Sequence, residues 1–140
     1  MAIQQGQTTS FKLNLYQQYF LNSGYVFKIA LYTSGVPTLD GTTTAYSATN
    51  EAAGTGYTAG GQVLTGAVVG FDATSGTAFV TFNNAVWAGA ITARAALIYN
   101  SSVSNQSVAV IDFGQNVTST NTFTVVMPSN TYTTALIRSV

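Results

Sequence analysis

The chain has 140 residues, with four Lys plus Arg against four Asp plus Glu and neither Cys nor His. Missing Cys and His exclude disulfides, thiolate chemistry, and the commonest general base and metal ligand. Charged residues are 6% of the chain, against about 25% in an ordinary soluble domain, and the scattered Lys12, Lys28, Arg94 and Arg138 give neither a nucleic-acid footprint nor a grip on an anionic membrane.

Residues 1–10 are polar and Gln-rich, without a period, and read as a flexible arm. They lack the basic and apolar regions of a signal peptide, and no stretch of the chain reaches the ~20 apolar residues of a membrane span. In residues 11–20, Phe11, Leu15 and Tyr19 recur every four positions, and Tyr16 and Phe20 widen that stripe. Phe11, Leu13 and Leu15 also alternate as a strand would. The pair Gln17-Gln18 interrupts the alternation, which favours a short helix with Ser10 as its cap.

Asn22-Ser-Gly is a turn. In residues 25–32, Phe27, Ile29 and Leu31 share one face of a strand, with Lys28 on the other. Residues 39–61 form a long loop rich in Thr and Gly, and loops of that length are often functional. Residues 62–69 and 77–82 read as strands joined by a turn over residues 72–76, and Val86-Trp87 is apolar.

Two apolar runs then flank a polar connection, residues 100–106. This is a β-hairpin with a long loop, spanning residues 91–113. The runs are almost continuously apolar, so both are expected to be covered on both faces at the centre of the core. With Tyr99 opposite Ser107, Arg94 falls opposite Asp112 as a structural ion pair. Residues 121–127 are a further strand, stopped by Pro128, and residues 135–138 a last edge strand. Some seven short strands without long helical patterns predict an all-β fold. The expected architecture is a single antiparallel β-sandwich, jelly-roll or Ig-like, over residues 11–140 with one short N-terminal helix.

Chemistry is sparse. Asp40 and Asp72 stand beside turn signals. Glu51, alone among glycines, is expected to accept backbone N–H groups and hold its loop in shape. Gly54, Gly56, Gly60 and Gly61 lack the Lys and the following helix of a phosphate loop. No catalytic residue, cofactor site or metal site is expected, and the protein is not expected to be an enzyme. The eight tyrosines suit either the edges of the core or a sugar-stacking or partner surface.

Three segments carry a resemblance: Asn50-Glu-Ala-Ala-Gly-Thr-Gly-Tyr-Thr-Ala-Gly-Gly61, Ala93-Arg-Ala-Ala-Leu-Ile-Tyr-Asn100 and Val108-Ala-Val-Ile-Asp-Phe-Gly114. With the opening Met-Ala-Ile-Gln-Gln-Gly and the segment Phe27-Lys-Ile-Ala-Leu-Tyr-Thr-Ser34, the chain resembles a family of small tailed-bacteriophage virion structural proteins. The resemblance carries over no catalytic residue. It implies a virion location, assembly in the bacterial cytoplasm, and the major capsid protein or neighbouring virion proteins as partners. The leading role is a capsid decoration or cement protein that stabilises the head. The alternative is a receptor- or glycan-binding module of a collar, tail or fibre.

Low charge and long apolar runs leave few residues to solvate a monomer. A homo-oligomer is therefore expected, as a trimer by analogy with the seating of decoration proteins. Candidate partner contacts are Ile3, Gln4 and Gln5 of the arm, which could add to a partner's sheet edge, and Gly54, Gly56 and Tyr57 of the loop.

Overall fold

A computed structural model describes residues 3–140. The fold is all-β and sandwich-like, with antiparallel sheets and one short N-terminal helix. The elements run α1 (Thr9–Tyr16), a π-helical turn (Gln17–Asn22), β1 (Phe27–Tyr32), β2 (Gln62–Val63), β3 (Val68–Asp72), β4 (Thr77–Thr81), β5 (Ala85–Ala88), β6 (Thr92–Asn100), β7 (Gln106–Thr118), β8 (Thr122–Val125) and β9 (Ile137–Ser139). Contacts gather into two compact units, each discontinuous in sequence. Among the described residues, the smaller holds 3–24, 66–82 and 127–140; the larger holds 25–65 and 83–126.

The larger unit contains the sheet β2-β1-β6-β7 and the ribbon β5-β8. β6 lies between β1 and β7, which explains its nearly continuous apolar run: Ala93, Ala96, Leu97 and Ile98 are all fully buried. Ile29 and Leu31 of β1 are buried as completely, each side chain contributing about 1.5–3 kcal/mol. The expected hairpin joins β6 to β7 through residues 101–105, with Ser104 and Asn105 at positive φ. Tyr99 pairs with Ser107 as expected.

Beyond that pair the expected register fails by one residue. A bulge between Ile98 and Tyr99 places Ala95, not Arg94, opposite Asp112, and a second irregularity leaves Arg94 unpaired between Ala93 and Ala95. An extra residue in one strand shifts every later partner. The expectation that both runs are covered on both faces holds for β6 alone. β7 is the edge of its sheet and only half-buried, with Asp112, Gly114, Gln115 and Asn116 exposed.

The strand expected over residues 62–69 is two strands in different units. β2 pairs with β1 and β3 pairs with β4. Gly66, at φ 70°, breaks the extended run between them.

The smaller unit holds α1, the π-helical turn and the sheet β3-β4-β9. The helix starts earlier than its expected Ser10 cap. Thr8 is extended, and its Oγ1 accepts the Phe11 N–H at 3.3 Å, the geometry an N-cap needs. Of the expected stripe, the Phe11 and Leu15 part turns outward. Phe11 and Leu15 are about half exposed, whereas Lys12 on the same helix is only 9% exposed. Tyr16 and Phe20 follow Lys12 at four-residue steps, and the Phe20 ring meets Phe82 edge-on at 5.9 Å. Apolar spacing does not say which stripe turns inward when aromatic residues occupy both. A lysine stem supplies apolar area of its own.

This orientation has a mutational signature. Phe20→Ala should lower stability by about 1–3 kcal/mol through lost burial, and Phe11→Ser by less than about 1 kcal/mol. Urea unfolding of the two variants checks it; the reverse order would place Phe11 on the packed side.

Candidate functional site

The loop between β1 and β2 has no strand of its own. It is held by isolated bridges, Tyr32 to Glu51, Ala45 to Gln106 and Gly54 to Ile91, and by one carboxylate. Glu51 Oε1 accepts the Tyr46 hydroxyl at 2.7 Å. Its Oε2 accepts the Tyr57 hydroxyl at 2.6 Å and the Gly60 N–H at 2.7 Å. The Tyr57 oxygen in turn accepts the Leu31 N–H of β1 at 2.9 Å. The Tyr99 hydroxyl of β6 donates to the Gly60 carbonyl at 2.6 Å, and its ring stacks on Tyr46 with centroids 4.8 Å apart. Tyr32 donates to the Ser47 carbonyl at 2.7 Å. Four phenols thus join the loop to the two central strands. Charge-assisted bonds to a carboxylate are the strongest in such a set.

Burial, the hydrogen bond to Glu51 and its negative charge push the Tyr46 and Tyr57 phenols well above the ordinary value. Tyr32 is raised to about 12, first by burial and then by the charge on Glu51, against the opposing bond to Ser47. Burial raises Tyr99 as well. These phenols are donors held in the neutral form, an arrangement that stabilises shape.

The glycines explain how the loop approaches the strands. Gly56 has φ 82°, and a Cβ there would run into the Ala88 carbonyl; Gly61 has φ 78°, and a Cβ there would run into the Ile29 carbonyl. The Gly54 and Gly56 positions are exposed. Tyr57 is different: its hydroxyl is committed to Glu51 and Leu31, and its ring lies 5.9 Å from Trp87. Ile3, Gln4 and Gln5 are exposed and outside any helix or strand.

Comparison with protein-family models, curated proteins and solved structures returns no match. The site therefore rests on its own geometry. Each acid has its own local partners. Asp40 Oδ1 accepts the Thr42 N–H and hydroxyl, and Asp72 Oδ2 accepts the Ser75 N–H; those bonds lower both carboxyls. Asp112 Oδ1 accepts the Gly114 N–H at 2.8 Å and pairs with Arg94 Nη1. The Gly114 bond, then Arg94, hold Asp112 below the ordinary 3.8. Among the described residues, no three acidic side chains gather as metal ligands, and no helix is long and apolar enough to cross a membrane.

The sequence predicts that Glu51 grips backbone N–H groups. One such bond, from Gly60, is present; the tyrosine partners were not legible, because Tyr46 and Tyr57 meet the carboxylate only when the loop folds back.

Glu51→Gln weakens three charge-assisted bonds and should lower stability by about 1–3 kcal/mol. Tyr57→Phe leaves the Leu31 N–H unanswered and should cost a similar amount. Thermal and urea unfolding measure both, and a neutral result for either would remove the carboxylate from its place as the loop's anchor.

The raised phenols also set an alkaline limit. The unfolded chain ionises its tyrosines near pH 10.0, while folded Tyr32 holds its proton to about 12. Their contribution is full below pH 10 and is lost as pH rises through the folded value. Stability should therefore fall steeply between pH 10 and 12, with phenolate absorbance and loss of fold rising together. Tyrosine ionisation complete before any unfolding would contradict it.

Proposed function

We propose that this protein is a non-enzymatic structural component of a bacteriophage particle, a capsid decoration or cement protein that stabilises the head. The observation that carries the reading is the outward face of the smaller unit. Phe11, Leu15 and Leu21 are about half exposed there, while Lys12 is turned inward. A helix that hides its lysine and displays its phenylalanine suits burial against another protein. The exposed arm stands immediately before it, and Ile3 is 84% exposed. The surface carries little charge, which suits close apolar and backbone contact with a capsid subunit or a neighbouring virion protein better than electrostatic capture.

In this reading the polyphenol network is a scaffold, since its only carboxylate is engaged by three donors. Self-association, expected as a trimer, belongs to the same surface, and light scattering on the purified chain measures it.

The experiment is occupancy on particles. Deleting residues 2–7 spares the Thr8 cap and should leave the melting temperature close to wild type while weakening attachment. Combining Phe11→Ser with Leu15→Ser should weaken it further, by about tenfold or more, as for loss of an apolar anchor from an interface. Unchanged occupancy for both variants would sink the particle-contact reading of this face.

A further inference from the structure

Arg94 and Asp112 face an open cleft of about 270 Å³ in the larger unit, beside Ser34, Val36, Leu39 and Val110. One side is the segment after β1; the other is the β6–β7 sheet. Val36 and Leu39 also wall a second hollow of about 170 Å³ that reaches Tyr32 and Leu97. Both belong to the same apolar cluster, in which Val36, Leu39 and Val110 pack against Tyr32, Leu97 and Tyr99.

The polar groups in the cleft are only partly engaged. Asp112 uses Oδ1 for both Arg94 and Gly114. Among the described residues, no partner engages Asp112 Oδ2, Arg94 Nε and Nη2, or the Ser34 hydroxyl. An acceptor, a fork of donors and a hydroxyl therefore stand beside an apolar wall. The two charges cancel, so neither an anion nor a cation is favoured over a neutral molecule. Neighbouring hydroxyls on one ring match this set: one donates to a carboxylate oxygen while the next accepts from a guanidinium. The C–H face of the same ring matches Val36, Leu39 and Val110. Pockets for drug-sized ligands measure about 300–1,000 Å³, so this smaller cleft suits a single ring.

We propose that the Arg94–Asp112 cleft binds one neutral sugar ring, with adjacent hydroxyls on the ion pair and the C–H face on Val36, Leu39 and Val110. The site is separate from the arm and helix proposed to hold the particle. It would let a particle-bound copy touch a carbohydrate surface, and its failure would leave the structural role intact.

The test is a titration of the isotope-labelled full chain, followed by amide chemical shifts. The probes are methyl α-mannoside, methyl β-galactoside and methyl β-glucoside, with sodium acetate and guanidinium chloride at matched ionic strength as charged controls. At least one glycoside should shift the amides of Ser34, Ala95 and Asp112 with a dissociation constant on the order of 1–10 mM, as a single small contact surface allows. Asp112→Ala should weaken that binding about tenfold or more. Leu39→Asn, which keeps the ion pair, should weaken it too. Unchanged remote amides in the same spectra establish that both variants remain folded. Three results would overturn the proposal: no shift with any glycoside, shifts confined to other residues, or a response to acetate or guanidinium that the glycosides lack.

Discussion

The Glu51 carboxylate is the interaction on which the larger unit depends. Nearly thirty residues separate β1 from β2, and they contain no regular element of their own. Ordering such a segment costs about 1–2 kcal/mol per residue in backbone freedom. Apolar burial inside the loop is modest, so directional bonds must carry much of the difference. Glu51 supplies three acceptor contacts at one point, two to side chains and one to backbone. Tyr57 extends that point to the backbone of β1 through Leu31, and Tyr99 extends it to β6 through Gly60. The loop is thereby tied to the two strands most deeply buried in the unit.

Tyrosine suits a chain with so little charge. Its ring adds to the apolar cluster, while its hydroxyl satisfies a buried carbonyl or carboxylate without introducing an ion. Tyr32, Tyr46, Tyr57 and Tyr99 all work in this way, each with its body against other apolar groups or rings and its tip on a named acceptor. The close approach of the loop to β1 and to residues 88–91 then depends on glycine, because a side chain at Gly56 or Gly61 would occupy the space of a carbonyl. Carboxylate, phenols and glycines form one device for folding a polar loop onto an apolar sheet.

The surface divides by chemistry. In the smaller unit the exposed residues of α1 are uncharged, with Phe11 and Leu15 beside Ser10 and Asn14, which suits lasting contact with protein. In the larger unit the Arg94–Asp112 pair leaves directional groups over an apolar wall, which suits a small polar ligand. The ion pair persists although Arg94 and Asp112 are not cross-strand neighbours. A long guanidinium side chain reaches across a bulge that a one-residue change of register would forbid to shorter residues.

Local pattern and composition determined much of this protein. Alternation marks β1, continuous apolarity marks the buried centre of the hairpin, and the lone acid among glycines marks the loop anchor. Each signal arises from neighbours along the chain, through periodicity or turn chemistry. The rest depended on contacts between distant residues. Only the tertiary structure decided that the apolar run of β7 is an edge while that of β6 is central, since identical runs can occupy either place. It decided which helix stripe faces inward, because the sheet under α1 accepts Lys12, Tyr16 and Phe20 as well as it could accept Phe11 and Leu15. It set the bulge at Tyr99, which no composition rule announces and which moves Asp112 by one partner. Glu51 could be recognised as an anchor from its neighbours, but Tyr46 and Tyr57 became its partners only when a strandless loop closed on itself, a matter of space and not of order along the chain.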